Sequence, residues 1–360
     1  MHISRISSPI AFVVALGAAC GCNGLLIDNS VASVEIAPRA VELVPGDSTK
    51  ITATILGPDG SPVSRPVIRW SSSDSTIVQV SASGTVRPIR GGTAVVTAAA
   101  GRYSDSGLVR GVYPPLSGVI EYAHRAFGGI FPENTLTAVN GAFERGANGV
   151  EVDVRLSSDG LPVVMHDPTV DRTTNGHGEV DQLTFGQLRS LDACARAGGQ
   201  WPPCQVPTPF EVLSAAQHRG RVILDLKGPW PSKDIGKLLD SVRGLGMIDS
   251  VIVTSFDLDV LWRVRRSAPR VVVGYLQSDP GDTQRMLDIG HIASFIDKTS
   301  IGRNASRMPA YITQLQAGGS LLGAFTLTTQ SEVPALKAAG VSWYVSDVPL
   351  DKAQLASRAH

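Results

Sequence analysis

The feature that most constrains the fold of this 360-residue chain is a series of nine apolar runs in its C-terminal two thirds. Most of them are separated by amphipathic stretches, and that alternation is typical of an α/β domain with parallel strands. The runs span residues 118–120, 149–156, 162–165, 221–226, 251–254, 271–276, 294–296, 321–325 and 343–345. The amphipathic stretches include residues 134–144, 235–245, 258–266 and 332–339.

One connection in this series is too short for a parallel crossover. Only Ser157-Ser158-Asp159-Gly160 and Leu161 separate the second run from the third, and such a turn suits a β-hairpin. We therefore expect residues 162–166 to fold back antiparallel on residues 149–156. Eight runs then remain, which is the number of strands in an eight-stranded α/β barrel.

The stretch from His124 to Asp167 carries two histidines and several carboxylates. Glu151 and Asp153 are two positions apart on a predicted strand, so their side chains project from one face and can together hold a hard divalent cation. A histidine can carry a proton near neutral pH. The predicted hairpin would bring His166 near these two carboxylates, and the site would lie at the C-terminal ends of the strands.

Six short motifs follow one another in this part of the chain: His124-Arg125, Pro132-Glu133-Asn134-Thr135, Glu151-Val152-Asp153, His166-Asp167, Arg172-Thr173-Thr174-Asn175-Gly176 and Asp225-Leu226-Lys227. Their order resembles that of the glycerophosphodiester phosphodiesterase family, within the phospholipase C-like barrels. The resemblance covers residues 118–357. It implies a (β/α)8 TIM-type barrel that hydrolyses glycerophosphodiesters to an alcohol and glycerol 3-phosphate.

The chain departs from the family pattern in three places. Ala126-Phe127 follow His124-Arg125 where the family usually has glycine at once, which leaves the course of this loop open. Asp225 stands where the family generally has glutamate. Near the last strands the chain has Phe325-Thr326-Leu327-Thr328, without the asparagine that the family often carries there.

By the same resemblance, His124 and His166 form the acid/base pair. Each would contribute roughly 10²- to 10⁴-fold to the rate, and the sequence leaves open which of them acts first. Arg125 and Lys227 would bind the anionic phosphate, where positive charge assists catalysis most. Phe325 would line the substrate pocket.

The resemblance further implies that Glu151, Asp153 and Asp225 bind one divalent cation. Ligation by oxygen alone favours Ca²⁺ or Mg²⁺ over zinc, and the shorter Asp225 is expected to alter the affinity or the preference. Three further residues would support the site, namely Glu133, Asn134 and Asp167.

Residues 31–113 have a different pattern. Short β-branched runs alternate with turn residues, which predicts an all-β sandwich of about 80 residues. Trp70 followed by Ser71-Ser72-Ser73-Asp74 resembles a bacterial immunoglobulin-like domain of the surface-adhesin type. We expect this domain to be a spacer that holds the barrel away from a membrane, joined to it by a stiff linker at Tyr113-Pro114-Pro115.

The first 30 residues have the pattern of an export signal, with a short polar start and an apolar stretch at residues 10–19. Leu16-Gly17-Ala18-Ala19-Cys20 resembles a lipoprotein box with Cys20 as the lipidated residue, although Gly17 departs from the usual pattern. The alternative is cleavage after a small residue, which would leave Cys20 or Cys22 as an odd thiol. We therefore expect an exported protein, periplasmic or on the cell surface, that is anchored to a membrane.

Cys194 and Cys204 lie ten residues apart in a segment rich in glycine and proline. No histidine or further cysteine lies close in sequence to complete a metal site, and the chain is expected in an oxidising compartment. A disulfide bond is therefore the favoured prediction.

The 32 basic and 32 acidic residues balance, so no basic face for nucleic acid is predicted. The expected partner is a small-molecule glycerophosphodiester. Two alternatives remain open. The adhesin-like domain, Asp225 and the altered last strands would also suit a surface-binding protein whose barrel has lost activity. A lysophospholipase D-like enzyme that acts on membrane lipids is the other.

Overall fold

The structure is a computed structural model that describes residues 30–113, 116–199, 201–281 and 283–356. The predicted export and lipidation segment, including Cys20, lies outside the described residues. Within these ranges, no helix combines the length and the apolar character that crossing a bilayer requires.

The N-terminal region is built of β-strands. The strands are β1 (Ser33–Ala37), β2 (Ala40–Leu43), β3 (Thr49–Lys50), β4 (Thr52–Leu56), β5 (Arg69–Ser72), β6 (Val78–Val80), β7 (Thr85–Pro88), β8 (Gly92–Ala100) and β9 (Tyr103–Gly111). They form a four-stranded sheet in the order β2-β9-β8-β5, a three-stranded sheet in the order β3-β7-β6, and a β1–β4 pair. Alternate residues enter one core that contains Ile51, Val78 and Val96, and Trp70 packs against it.

The C-terminal region is a closed barrel. Its strands are β10 (Ile120–Ala123), β11 (Gly149–Leu156), β12 (Pro162–Val164), β13 (Arg221–Leu226), β14 (Val251–Ser255), β15 (Val272–Gln277), β16 (Ile292–Asp297), β17 (Leu322–Leu327) and β18 (Trp343–Ser346). Strand β10 pairs in parallel with both β11 and β18, which closes a ring of eight parallel strands. Strand β12 pairs antiparallel with β11, so the predicted hairpin is confirmed.

Ten α-helices accompany these strands in the described residues. They are α1 (Leu136–Glu144), α2 (Phe185–Arg189), α3 (Pro209–Ala216), α4 (Ser232–Gly244), α5 (Leu258–Ser267), α6 (Thr283–Leu287), α7 (Lys298–Arg303), α8 (Met308–Ala317), α9 (Val333–Ala338) and α10 (Lys352–Ala356). Helix α4 buries Ile235, Leu238, Leu239 and Val242, whose spacing places them on one face. The helices therefore cover the outside of the barrel with a separate apolar layer.

The interior of the barrel changes character along its axis. Tyr122, Phe295 and Trp343 fill its lower part, and Tyr122 meets Trp343 edge-on with ring centroids 5.8 Å apart. Because strand residues alternate between faces, the next inward position after Tyr122 is His124 and the next after Ile223 is Asp225. The apolar plug thus lies toward the N-terminal ends of the strands, and the polar residues lie at their C-terminal ends.

Candidate active site

The C-terminal ends of the barrel strands surround a cavity of about 190 Å³. One side of it is charged, with His124, Arg125, Glu151, Asp153, His166, Asp225 and Lys227. The opposite side is largely apolar, with Leu276, Phe295, Phe325 and Val345, and with Phe256 at its edge. The structure therefore brings both histidines, all three predicted metal ligands, both predicted phosphate-binding residues and Phe325 into one cavity.

Three carboxylates on two neighbouring strands form a compact cluster. Glu151 and Asp153 are inward residues of β11, and the parallel register sets Asp153 beside Asp225 of β13. One oxygen from each acid lies within 4.8 Å of the other two, and all three side chains are buried. Burial and the charge of Asp153 raise the pKa of Glu151 to about 8, and burial also raises the pKa of Asp225 to about 6.

Asp153 differs from the other two carboxylates because cations surround it. Lys227 Nζ lies 3.2 Å from Asp153 Oδ1 and 2.5 Å from Asp225 Oδ2, and Arg125 Nε lies 3.6 Å from Asp153 Oδ2. Burial opposes the ionisation of Asp153, but the charges of Lys227, His166 and Arg125 outweigh it and lower the pKa. These carboxylates also raise the pKa of Lys227, so its ammonium stays charged.

The chemistry of this cluster fits a divalent metal ion. Its donors are all carboxylate oxygens, which suit a hard cation. Asp225 Oδ1 is buried and has no hydrogen-bond partner among the described residues, so it has an unused acceptor position. Asp225 therefore joins the cluster despite being shorter than the glutamate expected there. The acidic cluster could bind a metal.

A left-handed turn places His124 and Arg125 at the cavity. Arg125, Ala126 and Phe127 have φ angles of 47°, 61° and 62°, a conformation that is costly for residues other than glycine. Full burial of Ala126 and Phe127 in the core supports this turn without the glycine that the family pattern leads one to expect. As a result, the backbone N–H of Arg125 donates to Glu151 Oε2 at 2.8 Å.

Each histidine of the cavity has an aspartate on its Nδ1 atom. His124 Nδ1 lies 2.6 Å from Asp347 Oδ1, and His166 Nδ1 lies 2.7 Å from Asp167 Oδ1. In both rings Nε2 is therefore the nitrogen left for a substrate. Such a carboxylate holds the ring in one tautomer and orientation.

The environments of the two imidazoles shift their pKa values in opposite directions. Burial disfavours the charged form of His124, but the hydrogen bond to Asp347 and the charge of Glu151 outweigh it and raise the pKa. Burial lowers the pKa of His166, and the charge of Asp153 and the bond to Asp167 offset it only in part. At a given pH near neutrality, the His124 ring is therefore protonated more often than the His166 ring.

The residues predicted to support the site lie around its charged side. Asn134 Nδ2 donates to Asp153 Oδ2 at 2.8 Å, and its Oδ1 accepts from the Asp153 backbone N–H at 3.1 Å. Glu133 accepts from Arg125 Nη1 at 3.1 Å and from Arg172. The next residue, Thr135, caps helix α1 by accepting from the backbone N–H of Ala138, which anchors this loop.

Phe325 packs edge-on against Phe256, with ring centroids 6.1 Å apart. Lys227 Nζ lies 5.6 Å from the centre of the Phe256 ring, within the range of a cation–π contact. Phe256 is 51% exposed although it is a large apolar residue. These two rings form the apolar lip of the cavity on the side that faces Lys227.

The disulfide bond that the sequence predicts is confirmed. Cys194 and Cys204 form a disulfide bond in the loop between α2 and α3. Asp192 also belongs to a compact group with these cysteines, but its side chain accepts the backbone N–H groups of both and so stabilises the loop.

Sequence reasoning assigned no role to three residues that the structure places at the site. They are Asp347, Arg172 and Phe256. Arg172 stands in a motif that follows the predicted hairpin, and Phe256 and Asp347 each come shortly after a predicted strand, which was the available signal. Their partners could not be inferred, because Asp347 is 223 positions from His124 and meets it only when the barrel closes.

The fold and the cavity together define an α/β-barrel hydrolase with an acidic cluster and two imidazoles. Residues 124–351 match the model of the glycerophosphoryl diester phosphodiesterase family, and residues 30–108 match that of the bacterial Ig-like domain (group 2). The chain belongs to the glycerophosphoryl diester phosphodiesterase family and carries a bacterial Ig-like domain at its N-terminal side. Its class is therefore phosphodiesterase hydrolase, as the order of the motifs predicted.

Individual relatives agree with this placement. The chain is 29% identical over 232 residues to a glycerophosphodiester phosphodiesterase of Caldanaerobacter subterraneus, a match that covers 63% of this chain and 93% of that protein. It is 35% identical over 164 residues to mouse glycerophosphodiester phosphodiesterase 1, which covers 45% of this chain and half of the mouse protein. The fold is also that of an Oleispira antarctica phosphodiesterase solved with the product sn-glycerol-3-phosphate, with a TM-score of 0.57, 24% identity, and coverage of 64% of this chain and 94% of that one.

Proposed function

We propose that the barrel hydrolyses glycerophosphodiesters to an alcohol and glycerol 3-phosphate, with one divalent cation, Ca²⁺ or Mg²⁺, held by Glu151, Asp153 and Asp225. One observation carries this proposal. Two imidazoles with opposite pKa shifts and three buried carboxylates converge on a single cavity at the C-terminal ends of the strands. A purely structural role does not explain so many ionisable groups in one place.

The two imidazoles divide the proton transfers between them. His166 is predominantly neutral near pH 7, so its Nε2 takes the proton of the attacking nucleophile. The raised pKa of His124 leaves its ring protonated to higher pH, so its Nε2–H is available to donate to the oxygen of the leaving alcohol. Asp347 and Asp167 each hold the Nδ1 side of their ring and stabilise the positive charge that the ring carries.

Positive charge in the cavity is already placed before a substrate binds. Arg125 is held by Glu133 and lies beside Asp153, and Lys227 is held by Asp153 and Asp225. Both cations line the cavity where the negative charge of a phosphoryl group would increase during the reaction. A bound divalent ion would add Lewis-acid polarisation of the phosphoryl oxygens.

The substrate class rests on the relatives and on the cavity. The Caldanaerobacter relative, which aligns over nearly its whole length, is named a glycerophosphodiester phosphodiesterase. A small cavity with one charged and one apolar side suits a short diester whose phosphate faces the cations.

A lysophospholipid is the second candidate substrate. Phe256 is half exposed, and with Phe325 it extends the apolar side of the cavity to its edge. Such a lip would contact the first carbons of an acyl chain while the phosphate lies against Lys227. Release of choline from lysophosphatidylcholine at a rate comparable to that from glycerophosphocholine would establish this second activity.

We further propose that the protein is exported, lipidated on Cys20 and held at a periplasmic or outer cell surface with the Ig-like domain as a spacer. The apolar stretch and the box that ends in Cys20 support this proposal. Incorporation of labelled palmitate in cells, and its loss in Cys20→Ala, would test it. Equal labelling of both proteins, or none, would contradict it.

The central test is turnover of glycerophosphocholine by the purified full chain, read as released glycerol 3-phosphate. Activity should vanish in a chelator and return with Ca²⁺ or Mg²⁺. His124→Ala should lose at least about 100-fold in kcat. His177→Ala is the matched control, because the His177 side chain is 76% exposed and does not line the cavity. No turnover with any added divalent ion would contradict the proposal.

A further inference from the structure

Arg172 binds two carboxylates that belong to different loops of the site. Its Nη1 and Nη2 donate to Glu133 Oε2 and Oε1 at 2.8 and 2.7 Å, while Nε and Nη2 donate to Asp167 Oδ2 and Oδ1 at 2.6 and 3.1 Å. Both carboxylates are therefore bound in the two-point geometry that only a guanidinium provides. Arg172 does not line the cavity itself.

Each of these carboxylates contacts a residue that does line the cavity. Asp167 Oδ1 lies 2.7 Å from His166 Nδ1, and Glu133 Oε1 accepts from Arg125 Nη1 at 3.1 Å. The hydrogen bonds from Arg172 are the main cause that lowers the pKa of Asp167 to about 2. Asp167 is thus an ionised acceptor for the Nδ1–H of His166 over the whole range in which that histidine titrates.

The segment that carries Arg172 is tied to its surroundings. The buried Thr174 donates its hydroxyl to the Val170 carbonyl at 2.8 Å, and its own carbonyl accepts from Arg196 Nε at 2.7 Å. Asn175 Oδ1 accepts the backbone N–H of Asp192 at 2.9 Å, which links the segment to the disulfide loop. The segment is therefore held by contacts outside the cavity, and Arg172 in turn holds Glu133 and Asp167 beside the residues that line it.

We propose that Arg172 is a positioning residue for the phosphodiesterase reaction: it clamps Asp167 against His166 and thereby keeps His166 Nε2 directed at the cavity. This inference rests on the proposed function. When Asp167 is held, Nδ1 carries the proton of the neutral ring and Nε2 is the free base. When Asp167 can rotate away, the ring is free to change its tautomer or its orientation.

The test replaces Arg172 by lysine, which keeps the charge and removes the fork. Arg172→Lys should lower kcat on glycerophosphocholine by about 10- to 100-fold, a part of what a positioned general base supplies, with KM within about twofold. Arg189→Lys is the matched control, because Arg189 binds Glu211 with two 2.9 Å bonds in the same part of the chain and lies outside the cavity. It should keep the kcat of the unsubstituted protein. A normal kcat in Arg172→Lys, or a loss confined to KM, would overturn the proposal.

A double-substitution cycle separates positioning from a general loss of structure. If Arg172 acts through Asp167, Arg172→Lys combined with Asp167→Asn should have a kcat no lower than about threefold below the worse single variant. Multiplication of the two losses would contradict the shared route.

The tautomer of the His166 ring can be measured by NMR in the absence of turnover. The ¹⁵N shifts of the His166 ring, assigned by comparison with His166→Gln, should report an Nδ1–H tautomer in the unsubstituted protein and in Arg189→Lys. They should report a mixture of tautomers in Arg172→Lys. Unchanged shifts in Arg172→Lys would overturn the clamp, whereas an inactive protein with the predicted shifts would contradict only the proposed function.

Discussion

The two domains of this protein differ in what they bury. Among the described residues of the Ig-like domain, no charged or polar side chain is fully buried, and the core consists of residues such as Ile51, Val78 and Val96. The barrel buries Glu151, Asp153 and Asp225 to exposures of 5%, 1% and 3%. Both domains have apolar cores. Among the described residues, the barrel also buries a cluster of carboxylates, and the Ig-like domain does not.

This difference points to where function lies. Burying an ionised carboxylate is costly unless partners compensate it, and a fold that only needs stability gains little from it. In the barrel the compensation is incomplete, since Glu151 and Asp225 have raised pKa values while Asp153 is stabilised by cations. A bound divalent cation would compensate the remainder.

Asp153→Asn should have the largest effect. The substitution removes a proposed metal ligand and the shared partner of Lys227 and Arg125, so we expect at least about 1,000-fold lower turnover. Because Asp153 is the carboxylate that its surroundings stabilise, the protein should also lose about 3 kcal/mol or more of unfolding free energy. Urea denaturation and a glycerophosphocholine assay measure the two effects. A variant as stable as the unsubstituted protein would contradict the assigned ion pairs.

Glu151→Gln should also abolish most turnover but change stability in the opposite direction. Glu151 keeps its proton in the fold up to a pKa of about 8, whereas an ordinary glutamate ionises near 4.5. Without a divalent ion, the unsubstituted protein should therefore lose stability as the pH rises from about 4.5 to about 8. Asp225, with a pKa raised to about 6, adds to the same trend.

Thermal unfolding in a chelator at pH 5 and pH 8 measures this trend. The unsubstituted protein should melt at a lower temperature at pH 8, Glu151→Gln should show a smaller drop, and added Ca²⁺ should remove the difference for the unsubstituted protein. Equal pH dependence in both proteins would show that Glu151 is not the carboxylate whose pKa the fold raises.

Asp347→Asn should change the pH dependence of the reaction without abolishing turnover. The hydrogen bond to Asp347 is the largest influence that raises the pKa of His124. If His124 is the acid, its deprotonation sets the alkaline limb of the kcat/KM profile, and that limb should move to lower pH in the variant. Movement of the acidic limb instead would assign His124 as the base.

Ile51→Ala should have the smallest effect on turnover. Ile51 is fully buried in the Ig-like core, so its truncation should cost that domain about 2–5 kcal/mol. Turnover should stay within twofold, because no residue of this domain lines the cavity. A large loss of turnover would mean that the domain does more than act as a spacer.

Much of the barrel was predictable because its signals are local. The strand runs, the short turn at residues 157–160 and the i, i+2 spacing of Glu151 and Asp153 each act within a few residues. The strands of the Ig-like domain were predicted less completely. Strands β7 and β9 were not predicted. In β9, Asp105 and Gly107 are poor strand formers, and the long pairing with β8 stabilises the strand.

The contacts that orient the side chains of the candidate site were not predictable from one sequence. The Arg172 clamp joins side chains 39 and 5 positions away, and the Asp347 contact spans the whole barrel. The left-handed turn at Ala126-Phe127 runs against backbone preference and is stabilised by burial in the finished core. Each of these depends on tertiary packing rather than on a local pattern.

The most direct measurement is a crystal structure of the full chain grown with Mn²⁺, read as an anomalous difference map. We expect one peak at the C-terminal end of the barrel, bonded to oxygens of Glu151, Asp153 and Asp225 and absent in Asp153→Asn. A map without a peak among these carboxylates, at an ion concentration that supports turnover, would contradict the proposed metal site.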